Sequence, residues 1–214
     1  MTFWLKNCGL RTSEAISCAA ENYATHIGLV HYPDSPRHIS LEEGVTLRTH
    51  IPSHIETVAV LVNPDDALLD ALCFAWNPSL LQIHGVDSAE RLHGIQSRTA
   101  RKLILARGVA SAEDIKTINT LAEASGASAL LLDTPHATQH GGSGASFDWS
   151  LLNNTRPELP WFLAGGLTTD TVANAIACTR PRGVDVSSGI EESRGIKSLE
   201  KIVTFNRAVL EAFK

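Results

Sequence analysis

PWFLAGG at 160–166 and GVDVSSG at 183–189 are two short apolar runs that each break directly into small residues. Each reads as a buried strand followed by a turn made mostly of backbone. The stretch 169–179 between them has a helical pattern, so the segment is a strand–helix–strand unit. Glycine and serine after a strand leave N–H groups uncovered, and such groups converge readily on an anion. In a β/α barrel the loops after the seventh and eighth strands commonly hold a phosphate in this way. The segment therefore predicts a parallel α/β fold with a small phosphorylated ligand at its rim.

The same alternation extends back to the start of the chain. Runs at 3–8, 26–31, 57–62, 80–84, 102–106, 127–133, 160–164 and 183–186 read as eight strands. Stretches at 13–23, 41–50, 64–74, 88–97, 111–125, 169–179 and 199–213 read as helices. Ser40 with Glu43 three residues on is a capping-box pattern, and Asp65 and Asp66 after Pro64 place anions on a first turn. Between the sixth and seventh strands only 148–152 has helical character, so the helix there is vestigial. Strand–helix alternation predicts a parallel sheet, and eight units predict closure into a (β/α)8 TIM barrel spanning 1–214 as a single domain. An open doubly wound sheet would suit fewer units. Its G-x-G-x-x-G fingerprint is also missing after the first strand, where the chain reads CGLRTSE.

Composition narrows the function classes. The chain has 214 residues, 43% hydrophobic and 19% charged, enough for a large core without staples. A formal net charge of −5 opposes a nucleic-acid partner, which needs a basic face. Cys8, Cys18, Cys73 and Cys178 lie far apart, which implies neither a disulfide framework nor a zinc site and suits a reduced, cytoplasmic setting. No run approaches the roughly 18 apolar residues of a membrane span. The N-terminal MTFWLKNCGL reads as a first strand rather than a signal peptide.

Functional groups of such a barrel gather at the C-terminal ends of its strands. Those ends carry Cys8, His31, Asn63, His84, Arg107, Asp133, the Gly165–Gly166 pair and Ser187–Ser188–Gly189. Cys8 is either a small buried hydrophobe or a reactive thiol. Lys6 shares its face of the strand, and an ammonium there is expected to lower the thiol pKa. Asn7 points to the opposite face and needs a hydrogen-bond partner. Asp133 is either a loop or capping carboxylate or a proton donor. Asp185 is expected inside the barrel, with Lys6 on the adjoining first strand as its partner. His84 would donate to a substrate oxygen or cap its strand, and Gln82 shares its face. Arg37, after Pro36, presents a fork that suits a carboxylate or phosphate. His136 and His140 lack a third ligand, so the glycine-rich loop 136–144 suggests a lid rather than a metal site.

KNCGL at 6–10, SPRHIS at 35–40, LLQIHG at 80–85, LLLD at 130–133, GGSGASFDW at 141–149, LAGGLTTDTVANAI at 163–176 and GVDVSSGIE at 183–191 span nearly the whole chain. Together, in that order, they resemble the phosphoribosylanthranilate isomerase family. The resemblance implies an Amadori rearrangement of a phosphosugar in tryptophan biosynthesis, without metal or organic cofactor, by a monomer or homodimer. It implies Cys8 as base, Asp133 as acid and Arg37 as the holder of the anthranilate carboxylate. It also implies Gly165, Gly166, Ser188 and Gly189 around the phosphate, with His84 and Asp185 lining the site. Asn7, His31, Leu105 and the loop 134–140 depart from the family pattern, and His31 and Leu105 are expected to alter affinity or pH dependence. A metal-dependent epimerase barrel would need histidine and aspartate ligands on several strands. A histidine-pathway isomerase would need an aspartate where Cys8 stands, and indole-glycerol-phosphate synthase a lysine-rich site. A non-catalytic phosphosugar binder would not need both Cys8 and Asp133.

Overall fold

The structure, a computed structural model, describes residues 3–135 and 148–214. Its strands are β1 Trp4–Cys8, β2 His26–His31, β3 Glu56–Val62, β4 Leu80–His84, β5 Lys102–Gly108, β6 Ala129–Asp133, β7 Trp161–Leu163 and β8 Gly183–Val186. They form a closed barrel in sequence order, and parallel pairing of β8 with β1 closes it. The helices are α1 Ser13–Glu21, α2 Leu41–Arg48, α3 Asp66–Trp76, α4 Ala89–Thr99, α5 Ala112–Ser125, α6 Thr169–Thr179 and α7 Leu199–Ala212. A 3-10 turn, Trp149–Asn153, stands between β6 and β7, as the weak pattern there predicts.

Local chemistry accounts for the helix starts. Ser40 and Glu43 make the reciprocal capping box that begins α2. Asp65 caps α3 by accepting from Leu68 N at 2.8 Å, so that helix starts two residues later than the apolar pattern suggests. It then runs on to Trp76, until Asn77 adopts a left-handed conformation at φ 47°. One element was not anticipated. A small antiparallel hairpin, β9 Glu191–Ser193 with β10 Ile196–Lys197, follows β8 and turns through Gly195 at φ +85°. Its sequence, EESRGIK, is polar and lacks the alternation that marks a strand.

The period of two divides each strand between two cores. Val30, Val58, Val60, Ile104, Leu131 and Phe162 fill the barrel interior. Leu5, Ile27, Leu61, Leu81, Leu130 and Val184 face the helices. Each such fully buried side chain contributes roughly 1.5–3 kcal/mol relative to exposure. Trp4, His26 and Phe162 pack edge-to-face or tilted, with ring centroids 5.0–5.6 Å apart, and close the end opposite the mouth. Burial there lowers the His26 pKa to about 3, which keeps the ring neutral.

The same period corrects an expectation about Leu105 and His31. Leu105 is buried in the layer between sheet and helices. His31 packs against Trp76 at 5.9 Å and His38 at 4.9 Å, and its Nδ1 lies 2.9 Å from the Ile39 carbonyl. Both point away from the barrel mouth, so neither is placed to act on a ligand there. Asn7 finds the partner that it requires. It exchanges two 3.0 Å amide hydrogen bonds with Asn206 of α7, and Asn206 also donates to the Asn22 carbonyl at 2.8 Å.

Candidate active site

Cys8 ends β1 on the inner face, 6% exposed, among the residues of the barrel interior. Lys6 lies one pleat below it and directly opposite Asp185 in the β1–β8 register. Its ammonium donates to Asp185 Oδ1 at 2.9 Å, with the two side chains 0% and 9% exposed. The partnership across the closure seam is therefore the expected one. Its consequence for the thiol is different. Burial pushes the Cys8 thiol up, Lys6 and Lys197 pull it down, Asp185 adds to the rise, and the net shift is upward. The expectation that Lys6 would leave a lowered thiol is overturned because its charge is shared with Asp185 and burial penalises the thiolate.

Gly28 of β2 keeps the space over this pair open. A Cβ there would lie 2.8 Å from Cys8 Sγ and 3.1 Å from Lys6 Cε. Gly28→Ala should displace the sulfur and lower kcat by about 100-fold, the cost of a misplaced reacting group. Steady-state kinetics beside a thermal melt would check this, since the substitution should reduce kcat in a protein that remains folded.

Asp133 ends β6 with its side chain on the inner face, in phase with Ala129 and Leu131. Its Oδ1 accepts from Thr134 N at 2.7 Å, which orients the carboxyl. In the closed order β7 and β8 separate it from β1 on one side, and β2 to β5 on the other. Cys8 and Asp133 thus approach the mouth from well-separated strands. His84 is half-buried at the end of β4. The Gln82 amide nitrogen lies 2.8 Å from His84 Nε2.

The turns after β7 and β8 carry the backbone donors. Gly165 and Gly166 adopt φ of +87° and +64°, which only glycine does without strain. Ser188 and Gly189 begin a 3-10 turn, Ser188–Ile190. A Cβ on Gly189 would overlap the Leu167 carbonyl oxygen, and one on Gly165 would lie 2.9 Å from Asp133 Oδ1. The two turns therefore abut, with Asp133 at their edge. Among the described residues, the N–H groups of Gly165, Gly166, Ser188 and Gly189 have no backbone acceptor.

Arg37 lies in the loop after β2, and Glu191 receives its fork through Nε at 2.6 Å and Nη2 at 3.0 Å. Lys197 also reaches Glu191, at 2.9 Å, and its side chain is 3% exposed. Burial pushes the Glu191 carboxyl up, but Arg37 and Lys197 more than offset this, so it sits below its ordinary value. Burial lowers the Lys197 ammonium, Glu191 and Cys8 only partly restore it, and the net shift is downward. The sequence does not single out Glu191 or Lys197 as partners of Arg37. Glu191 closes the GVDVSSGIE segment and Lys197 follows in a stretch that looks like exposed loop, so only the fold brings them to Arg37. Arg107 is not part of the mouth. Its guanidinium turns outward to the Val86 carbonyl at 2.5 Å and Asp87 at 2.6 Å. The loop 136–144, expected as a lid, lies outside the described residues.

A thiol and a carboxyl on separate strands of one barrel mouth are placed to give and take protons on a ligand between them. Fold and site together define a (β/α)8 isomerase of the phosphosugar-handling class. The family model for N-(5′-phosphoribosyl)anthranilate (PRA) isomerase matches residues 5–208. An N-(5′-phosphoribosyl)anthranilate isomerase of Azorhizobium caulinodans is 41% identical over 215 residues, covering 99% of this chain and 93% of the relative. TrpF from Jonesia denitrificans superposes with a TM-score of 0.84 at 34% identity, covering 99% of this chain and 98% of that one. A phosphoribosyl anthranilate isomerase solved with reduced 1-(o-carboxyphenylamino)-1-deoxyribulose 5-phosphate superposes with a TM-score of 0.83 at 29% identity, covering 98% of this chain and all of that one. The chain belongs to the N-(5′-phosphoribosyl)anthranilate isomerase family.

Proposed function

We propose that this chain converts N-(5′-phosphoribosyl)anthranilate into 1-(2-carboxyphenylamino)-1-deoxyribulose 5-phosphate, with Cys8 as the base and Asp133 as the acid. The observation that carries the assignment of roles is the placement of these two groups on the inner faces of β1 and β6, at the same end of the barrel. Asp133 protonates the furanose ring oxygen, and the ring opens to a protonated imine. Cys8 removes the proton from C2′, and the imine takes up the electron pair to give an enolamine. Tautomerisation, with a proton returned to C1′, leaves the ketone. The imine itself is the electron sink, so the proton transfers need one donor and one acceptor at the mouth.

Gly165, Gly166, Ser188 and Gly189 hold the phosphate through their backbone N–H groups. Arg37 receives the anthranilate carboxylate, and His84 and Asp185 line the space between. Asp185 acts through Lys6, whose ammonium lies beside the sulfur and favours its thiolate against the cost of burial. The four cysteines are free thiols, which suits the reducing cytoplasm to which we assign the enzyme. The test is to add purified, EDTA-treated protein to freshly made N-(5′-phosphoribosyl)anthranilate and follow its anthranilate fluorescence. Rapid decay is expected; no decay with folded protein would refute the activity.

A further inference from the structure

Arg37 is not a free arm reaching over the mouth. Glu191 opens β9 directly after the turn that follows β8, and Lys197 ends β10 opposite it in the hairpin register. The Lys197 ammonium donates to Glu191 Oε1 at 2.9 Å, to the Ser187 carbonyl at 2.9 Å and to Ser187 Oγ at 3.2 Å. Ser187 Oγ in turn donates to the Cys8 carbonyl at 3.2 Å. Lys201 of α7 ties the Glu191 carbonyl at 2.7 Å. The Glu191 side chain is 5% exposed and that of Arg37 23%. The carboxylate is thus clamped between two cations and anchored to the strand that follows the phosphate turns. Burying an ionic group this deeply is poor value as a source of stability, because a well-packed apolar replacement usually does as well. It does give Arg37 a fixed direction.

A guanidinium offers two bidentate edges. Glu191 occupies the one made by Nε and Nη2. The edge made by Nη1 and the second Nη2 hydrogen remains for another carboxylate. Arg37 and Lys197 against Glu191 also leave one positive charge uncompensated within this cluster. We propose that the Glu191–Lys197 pair positions Arg37 to receive the ortho-carboxylate of the substrate's aryl amine, and so sets the preference for anthranilate over an uncarboxylated amine. Both are positioning residues, since they act through Arg37. The inference rests on Arg37 being the group that binds the substrate carboxylate.

The experiment measures kcat and KM for two substrates, one made from ribose 5-phosphate and anthranilate, the other from ribose 5-phosphate and aniline. Glu191→Gln should raise KM for the anthranilate substrate about 10- to 100-fold, as for a lost charged hydrogen bond, with kcat within about threefold. Its kcat/KM on the aniline substrate should stay within about threefold of the parent, so the preference collapses. Glu191→Asp, which keeps the charge on a shorter arm, should recover part of it. Equal losses on both substrates would reduce the pair to structural support and overturn the proposal. An unchanged KM would overturn it as well. Arg37→Ala run in parallel separates the two layers. If that variant keeps the preference, the reading of Arg37 falls and the proposal with it. If Arg37→Ala loses the preference while Glu191→Gln keeps it, only the proposal falls. Should Glu191→Gln fail to fold, Lys197→Met takes its place, and a folded Lys197→Met enzyme with undiminished preference would overturn the proposal.

Discussion

Cys8→Ala should lower kcat by about 100- to 10,000-fold, the range that a positioned general base supplies, and leave the affinity for a product analogue nearly unchanged. In the proposed mechanism the thiol accepts a proton from C2′ and contributes little to holding the substrate, a task that the proposal gives to the turns after β7 and β8 and to Arg37. Loss of transition-state stabilisation without loss of binding is the signature of such a group. Comparable losses of turnover and of analogue affinity would instead make Cys8 a packing residue. The pH dependence gives an independent check. Burial pushes the Cys8 thiol above its ordinary value, and Lys6 and Lys197 only partly counter this. The base acts when deprotonated, so kcat/KM in the free enzyme should climb with pH through the thiol ionisation and fall as pH drops below it. The rising limb should sit on the alkaline side of an ordinary cysteine. A profile for the parent enzyme that is flat across that range would assign the base elsewhere.

Asp133→Asn should lower kcat by a similar factor, about 100- to 10,000-fold, with KM little changed. The amide is nearly isosteric, and its oxygen can still accept from Thr134 N, where the carboxylate accepts at 2.7 Å. The loop geometry should therefore survive while the group loses its transferable proton. An amide cannot usefully protonate the ring oxygen, so ring opening should become limiting. A thermal melt close to the parent's would show that the fold is intact. Near-normal turnover in that folded variant would move the acid role to another group at the mouth.

Much of the candidate site's geometry was legible in the sequence because its signals are local. Small residues after the apolar runs at 160–164 and 183–186 marked the two turns, whatever the rest of the chain did. Strand alternation placed Lys6 and Cys8 on one face and Asn7 on the other without knowledge of neighbours. The Lys6–Asp185 pair spans 179 residues, yet it too could be foreseen, because closure of eight strands makes the first and last adjacent. Arg37 was visible as a candidate, but its partner was not. Glu191 lies 154 residues away in a hairpin whose polar sequence carries no strand pattern.

Alternation and the eight-unit count, both properties of the chain read a few residues at a time, determined the barrel, its direction and the strand ends that bear chemistry. Tertiary structure decided everything that depends on what surrounds a group. The packed barrel shows that His31 and Leu105 face the helices, because alternation sorts the residues of a strand into two faces but does not say which face turns inward. Only it shows that burial outweighs Lys6 at the Cys8 sulfur, because desolvation and charge act through space in opposite directions and their balance follows from depth and distance. The fixed direction of Arg37 belongs to the same class, since an ion pair forms between side chains that folding, and not sequence proximity, brings within hydrogen-bond reach.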